Sequence, residues 1–301
     1  MRVTANMSAD NSVYNIQQNR IKLDRLQELS ASQTNVNRPS DDPINTRLLL
    51  DVGDKLRAGE QYSSNMQKST MWQQVTDTAL TGMSDTMTLA KKLANSISSG
   101  TSDITLRQTV VTQLQALKQQ LVDMGNTQLG EQYIFGGAKN STQPFSATSP
   151  YYSGDETALN VEIGNNTTQQ LNVLGGQLLT ADTATSKPYG ATNILQTFDD
   201  LITAVSANDV PGMQAGSQAL YDGAIQINNA QSEVASRTMR LDSMTKLNVN
   251  TKNTLETIYG NVQNVDYVKL AVQLNQQKTA FEASLSATAK ISQLSLLDYM
   301  R

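Results

Sequence analysis

The sequence predicts a mainly α fold: an elongated helical rod of long antiparallel helices with a small inserted β-rich lobe and terminal coiled-coil segments. Three observations predict it. All six prolines fall at 39, 43, 144, 150, 188 and 211, so 44–143 and 212–301 lack the residue that breaks helices. In both stretches apolar residues recur at steps of three and four, the period of one helix face. The apolar fraction is 38%, with 5% aromatic residues, against about 45–50% in ordinary globular chains on a count that includes glycine. Such a chain fills narrow seams between helices rather than one thick core.

Near the N-terminus Ile16, Leu23 and Leu26 form a thin stripe spaced by polar residues. Ser40-Asp41-Asp42-Pro43 then reads as a helix start: Asp42 caps the free amides, and Pro43 suits the first position, where its missing N–H costs nothing. Val75, Ala79, Met83, Met87, Ala90, Ala94 and Ile97 continue one stripe up to the break at 98–102. Asp103 caps a second helix carrying Leu106, Val110, Leu114, Leu117, Leu121 and Met124, and the short connection implies an antiparallel hairpin. At Tyr133-Ile-Phe-Gly-Gly137 a strand-like triplet meets two glycines. Within 157–174 the period becomes two, with Leu159, Val161 and Ile163 before a turn at Gly164-Asn-Asn-Thr167 and Leu171 and Val173 after it.

Helix resumes near Asn193, with Ile194, Phe198, Leu201 and Val205, and is interrupted at Asn208-Asp-Val-Pro-Gly212. A helix over 212–259 would then span roughly 70 Å at 1.5 Å per residue, more than twice the diameter of a small domain. Asp266 caps a last helix with Leu270, Leu274, Phe281, Leu285, Ile291 and Leu294. Both end stripes are too narrow to hold an isolated helix, so both ends are expected to be largely disordered in the monomer and to fold on assembly. Three parts result: terminal assembly helices at 1–42 with 266–301, a helical rod domain at 43–135 with 190–265, and the inserted β-rich lobe at 136–189. Ile16, Leu23, Leu26, Leu270, Leu274, Phe281, Leu285, Ile291, Leu294, Leu296, Leu297 and Tyr299 are the residues expected to pack between subunits.

Composition excludes several functions. Net charge is −4, from 23 basic and 27 acidic residues, and the longest basic run is Lys91-Lys92. That argues against nucleic acid and against an anionic membrane surface as partners. No apolar run approaches the roughly 20 residues of a membrane span, and residues 1–10 lack the apolar core of a cleaved signal. With no Cys and no His, disulfides, thiolate nucleophiles, the Ser-His-Asp arrangement and the common zinc sites are gone. No cofactor or metal is expected, and the chain reads as a non-enzyme, although carboxylates alone still permit glycoside hydrolysis. Asp41, Asp42, Asp51 and Asp54 read as cap and first-turn charges, Gly136-Gly137 and Gly175-Gly176 as turn glycines, Met71 and Trp72 as core or seam. The abundant Asn and Gln read as solvated helix surface, or as adaptable hydrogen bonds between subunits.

Four motifs carry a resemblance. Asn37-Arg-Pro-Ser-Asp-Asp-Pro43 is similar to the segment that closes the N-terminal helix in flagellin-like proteins, in the form typical of the hook–filament junction. Gly130-Glu-Gln-Tyr-Ile-Phe-Gly-Gly137 resembles the family's segment at the exit of the second helix, and Tyr152-Ser-Gly-Asp155 the start of its β lobe. Leu294-Ser-Leu-Leu-Asp-Tyr-Met-Arg301 is similar to the family's C-terminus. The resemblance implies a structural subunit of the bacterial flagellum that polymerises helically through its terminal helices, joining the first hook-associated protein to flagellin. It implies partners in other copies of the chain, arranged as a helical ring, in both of those proteins, and in a flagellar export chaperone before assembly. It also implies synthesis in the cytoplasm, type III export without a cleaved signal, and an extracellular place in the flagellum. A short middle lobe, and Pro39 and Pro43 in place of an Ala-rich helix start, depart from filament flagellin and favour the junction. Filament flagellin, and a glycosidase or carbohydrate-binding module using Glu156 or Glu162, are the competing readings.

Overall fold

The computed structural model describes residues 5–100, 103–181 and 184–299, and the side chains of 10–290 among them. Seven helices and two two-stranded sheets occupy these residues: α1 (Ala5–Ser32), α2 (Pro43–Ile97), α3 (Ile104–Gly125), β1 (Gln128–Leu129), β2 (Gln132–Tyr133), β3 (Asn160–Gly164), β4 (Thr167–Gln170), α4 (Gly175–Leu179), α5 (Ile194–Ala207), α6 (Val210–Gln263) and α7 (Tyr267–Tyr299). The fold is mainly α, as the proline pattern and the 3.6 period require. The chain divides into a terminal unit, Met1–Ala58 with Thr251–Arg301, and a central unit, Gly59–Asn250.

The central unit holds the main core. Ala79, Met83, Met87, Ala90, Ala94 and Ile97 of α2 meet Val110, Leu114 and Leu121 of α3, Phe198, Leu201 and Val205 of α5, and Met213, Leu220, Ile227 and Val234 of α6. The α2, α3 and α5 residues among them lie on the predicted stripes. Leu106 departs from its stripe and is exposed, as is Met71, while its neighbour Trp72 is buried. The start of α3 follows its cap, because Asp103 Oδ1 accepts the amides of Thr105 at 2.8 Å and Leu106 at 3.2 Å. Asn193 Oδ1 likewise accepts the amide of Gln196 at 3.0 Å and starts α5. The interruption predicted at 208–212 shrinks to two residues. Asn208, at φ 54°, ends α5 in the left-handed conformation, and α6 already contains Pro211. A proline in a first turn has no hydrogen bond to lose.

The 136–189 segment holds less strand than its alternation suggests. β3 and β4 form one antiparallel hairpin that turns at Asn166, φ 52°. Ile134 and Phe135, expected in a strand, lie in a turn and are fully buried. Gly175 and Gly176 open the short helix α4 rather than a turn. Gly175 sits so close to the Phe135 carbonyl that a Cβ would stand 2.7 Å from its oxygen.

Side-chain amides and guanidiniums seat this segment on the helices. Gln226 of α6 is fully buried; its Nε2 donates to the carbonyls of Leu178 at 2.7 Å and Thr192 at 3.0 Å, and its Oε1 accepts the Thr192 amide at 3.0 Å. Gln73 of α2 donates to Leu171 O at 2.7 Å, and Arg237 of α6 to Asn172 O at 2.9 Å. Asn126 both donates to Phe145 O and accepts from Phe145 N, at 3.0 and 2.9 Å. Part of the Asn and Gln content is therefore interior, where its hydrogen bonds to main-chain groups favour one docking geometry. A charged counterpart lies between α3 and α5. Lys118 Nζ donates to Asp199 Oδ1 at 2.6 Å and to Ala147 O at 2.6 Å, and the Tyr151 hydroxyl donates to Asp199 Oδ2 at 2.6 Å. Burial, and then that bond to Asp199, push the Tyr151 phenol up to about 12.

Candidate assembly surface

The terminal unit is built on one thin seam. α1 and α7 pack together and run antiparallel: Gln277 Nε2 donates to Asn19 O at 3.1 Å, Asn19 Nδ2 to Ser284 Oγ at 3.4 Å, and Asn35 N, just beyond α1, to Gln263 O, just before α7, at 2.6 Å. α7 starts at Asp266, whose Oδ1 accepts the Lys269 amide at 3.1 Å.

Of the residues singled out from sequence, Leu270 is buried, at 3% exposure. Ile16, Leu23, Leu26, Leu274 and Phe281 are half-buried, and Leu285 is 45% exposed. The side chains of Ile291, Leu294, Leu296, Leu297 and Tyr299 lie outside the described ones. Two helices alone cover only part of their apolar stripes. Val13, Tyr14, Ile21, Val268 and Val272 also face outwards, and none of them lies on the stripes expected from sequence. A groove of about 580 Å³ runs along the α1–α7 pair, with Ile21, Lys22, Arg25 and Leu26 on one wall and Gln273, Gln276, Gln277 and Ala280 on the other.

The segment between α1 and α2 is stapled by charge. Arg25 of α1 pairs with Asp41 at 2.8 Å and with Glu28 at 3.3 Å, and Arg38 pairs with Glu28 at 3.1 Å. Asp41 Oδ2 also accepts the Arg38 amide at 3.0 Å. Asp42 Oδ1 accepts the Asn45 amide at 3.0 Å, and Pro43 is the first residue of α2. Asp41 thus ties the loop back to α1, while Asp42 serves the helix that follows.

This staple has a pH dependence of known sign. The Arg25 guanidinium hydrogen-bonded to Asp41 holds that carboxyl below its usual range. A depressed carboxyl contributes stability above its ordinary pKa and loses it as the pH falls through that range and below. Asp41→Asn is therefore expected to lower the melting temperature near pH 7 and to have little effect at about pH 2. Melting followed by circular dichroism at both values checks this; an equal deficit at both would contradict it.

Among the described residues no cluster of carboxylates is arranged to hold a metal ion, and no helix is long and apolar enough to cross a membrane.

Comparison with known proteins gives a broad likeness first. Residues 3–140, from α1 through β2, match the model of the bacterial flagellin N-terminal helical region. The particular likeness is to hook-associated proteins. Identity is 20% with flagellar hook-associated protein 3 of Salmonella typhimurium (strain LT2), over 317 aligned residues and 100% of both chains. It is 22% with flagellar hook-associated protein 3 of Escherichia coli (strain K12), over 90% of each chain. A solved chain from Vibrio parahaemolyticus, provisionally assigned as a flagellar hook-associated protein, superposes with a TM-score of 0.65 at 21% identity, covering 74% of this chain and 100% of that one. The flagellin-like resemblance read from the four motifs is borne out, and the relatives are structural proteins of the flagellum, not enzymes.

Proposed function

We propose that the chain is a structural subunit of the bacterial flagellum that joins hook to filament, by helical polymerisation through its terminal segments 1–42 and 266–301. Its partners are other copies of itself, the first hook-associated protein on one side and flagellin on the other, with a flagellar export chaperone before assembly. The subunit is made in the cytoplasm, exported, and works outside the cell. Whole-length similarity to hook-associated protein 3 supports the place.

The observation that carries the mechanism is the half-covered α1–α7 seam. Leu23, Leu26, Leu274 and Phe281 are only half-buried by the packing of α1 on α7. Each Leu or Phe completed by a neighbouring copy would gain up to about 1.5–3 kcal/mol of transfer free energy. Interfaces repeated by rotation and rise build a tube rather than a closed dimer.

Two tests follow. In cells lacking the chain, electron micrographs are expected to show hooks without filaments, with flagellin lost to the medium. Complementation with Leu285→Asp, a change at an exposed α7 position that leaves the monomer's core alone, is expected to abolish junctions and motility. Normal motility with that variant would remove Leu285 from the interface.

A further inference from the structure

The central unit contains two apolar clusters, not one. The main core ends near Trp72 on α2 and Val234 on α6. A satellite of Met66, Ile163 and Leu241, flanked by Tyr62 and Met244, lies separately under the β3–β4 hairpin. At the junction of the two, on both helices and on the lobe, lies a buried polar layer: Ser69 between Met66 and Trp72, Gln73 just past Trp72, Gln169 and Asn172 on the lobe, and Arg237 between Val234 and Leu241. This layer is incompletely paired, since Gln73 Oε1, Gln169 Oε1 and Trp72 Nε1 are buried without a hydrogen-bond partner. Apolar contact transmits cooperativity; a partly satisfied polar layer interrupts it.

The hairpin bridges the two helices at this place. From α2, Asn65 Nδ2 donates to Glu162 O at 2.8 Å. From α6, Arg240 Nη2 donates to Thr168 O at 3.3 Å. Among its described residues Ile163 is the one buried apolar side chain, clustered with Met66 of α2 and Leu241 of α6. Gln73 and Arg237 hold the segment that leaves it, through Leu171 O and Asn172 O.

We propose that the β3–β4 hairpin is a clasp across α2 and α6 that opens as its own unit while the main core stays closed. It is held by one apolar plug and a few bonds to its main chain, and the polar layer separates it from the cooperative core. An isolated two-stranded hairpin has little stability of its own, so once the plug leaves, the strands part too. The clasp gives the α2–α6 pair a release at one end that the fully packed end lacks.

Native-state hydrogen exchange of the full chain, read by mass spectrometry, tests this. Amides of 160–170 are expected to exchange at least tenfold faster than those of 83–94 and 197–205, through an opening that responds weakly to added denaturant. Ile163→Ala is expected to speed exchange in 160–170 by tenfold or more and leave 83–94 and 197–205 unchanged. Asn65→Ala, which removes one tether at little risk to folding, is expected to act in the same place by a few-fold. Equal protection of hairpin and core, or variants that lower protection uniformly, would overturn the proposal.

Discussion

Phe198→Ala is expected to be among the most destabilising single truncations in the central unit, at about 4 kcal/mol. Phe198 lies on α5, is fully buried, and belongs to the main core where α2, α3 and α6 contribute their stripes. Removing the ring loses its transfer free energy and leaves a cavity in the core that α5 shares with α2, α3 and α6. Those helices relax poorly, because each is held along its length by other contacts, so the cavity term is not recovered by collapse. Total domain stability is commonly about 5–15 kcal/mol, so the variant should unfold at distinctly lower denaturant. Urea titration against the parent checks the number; a loss below about 1.5 kcal/mol would mean that α5 is not integral to the core.

Gly137→Ala is expected to cost about 3 kcal/mol or more, by strain and clash rather than by a void. Gly137 has φ 66°, where a Cβ is disfavoured. The Cβ would also stand 2.0 Å from the Asp155 carbonyl oxygen. Asp155 cannot yield easily, because its amide donates to Gly136 O at 3.0 Å and its carbonyl accepts the Tyr152 hydroxyl at 2.9 Å. That hydroxyl also donates to Phe135 O at 3.0 Å, so displacing Asp155 disturbs the buried Phe135 turn. Thermal melting should show the loss, and Gly130→Ala supplies the control. Gly130 has φ 65°, but a Cβ there meets nothing within 4 Å. It should cost only the conformational part, about 1–2 kcal/mol. Equal losses at the two glycines would show that the Asp155 contact adds nothing.

The helical frame was legible because its information is local. Caps at Asp103, Asn193 and Asp266 act over three residues, and the stripes of α2, α3, α5 and α6 repeat within a turn, so neither needs the fold to be known. The lobe was less legible because its determinants are distant. Gln226 and Gln73 look like surface glutamines within their own helices; their targets, Leu178 and Leu171, lie 48 and 98 residues away. Leu171 and Val173 keep the two-residue alternation past the end of β4, so period alone overstated the strand. Ile134 and Phe135 combine strand-prone residues with burial, yet the Ile134 amide is taken by Thr127 O at 3.1 Å, which turns the chain. Met71 and Trp72 were read together; only the stripe geometry separates the exposed residue from the buried one. On the assembly surface, Leu23 and Leu285 were found by apolarity at helical spacing. Val13, Ile21, Val268 and Val272 were passed over because they lie off the main stripe, although an outward position is what a contact with another subunit uses.

Beside the side chains it places in the core, the 136–189 segment is gripped through its carbonyl oxygens: those of Glu162, Thr168, Leu171, Asn172, Leu178 and Tyr189 each receive a donor from α2 or α6. A carbonyl is the same whatever residue carries it. The scaffold therefore holds a path rather than a spelling, and outward-facing positions along that path are free to be rewritten. The tip at Asn165-Asn166, beyond every one of these grips, is where a foreign epitope or a tag would be carried with the seat beneath it unchanged.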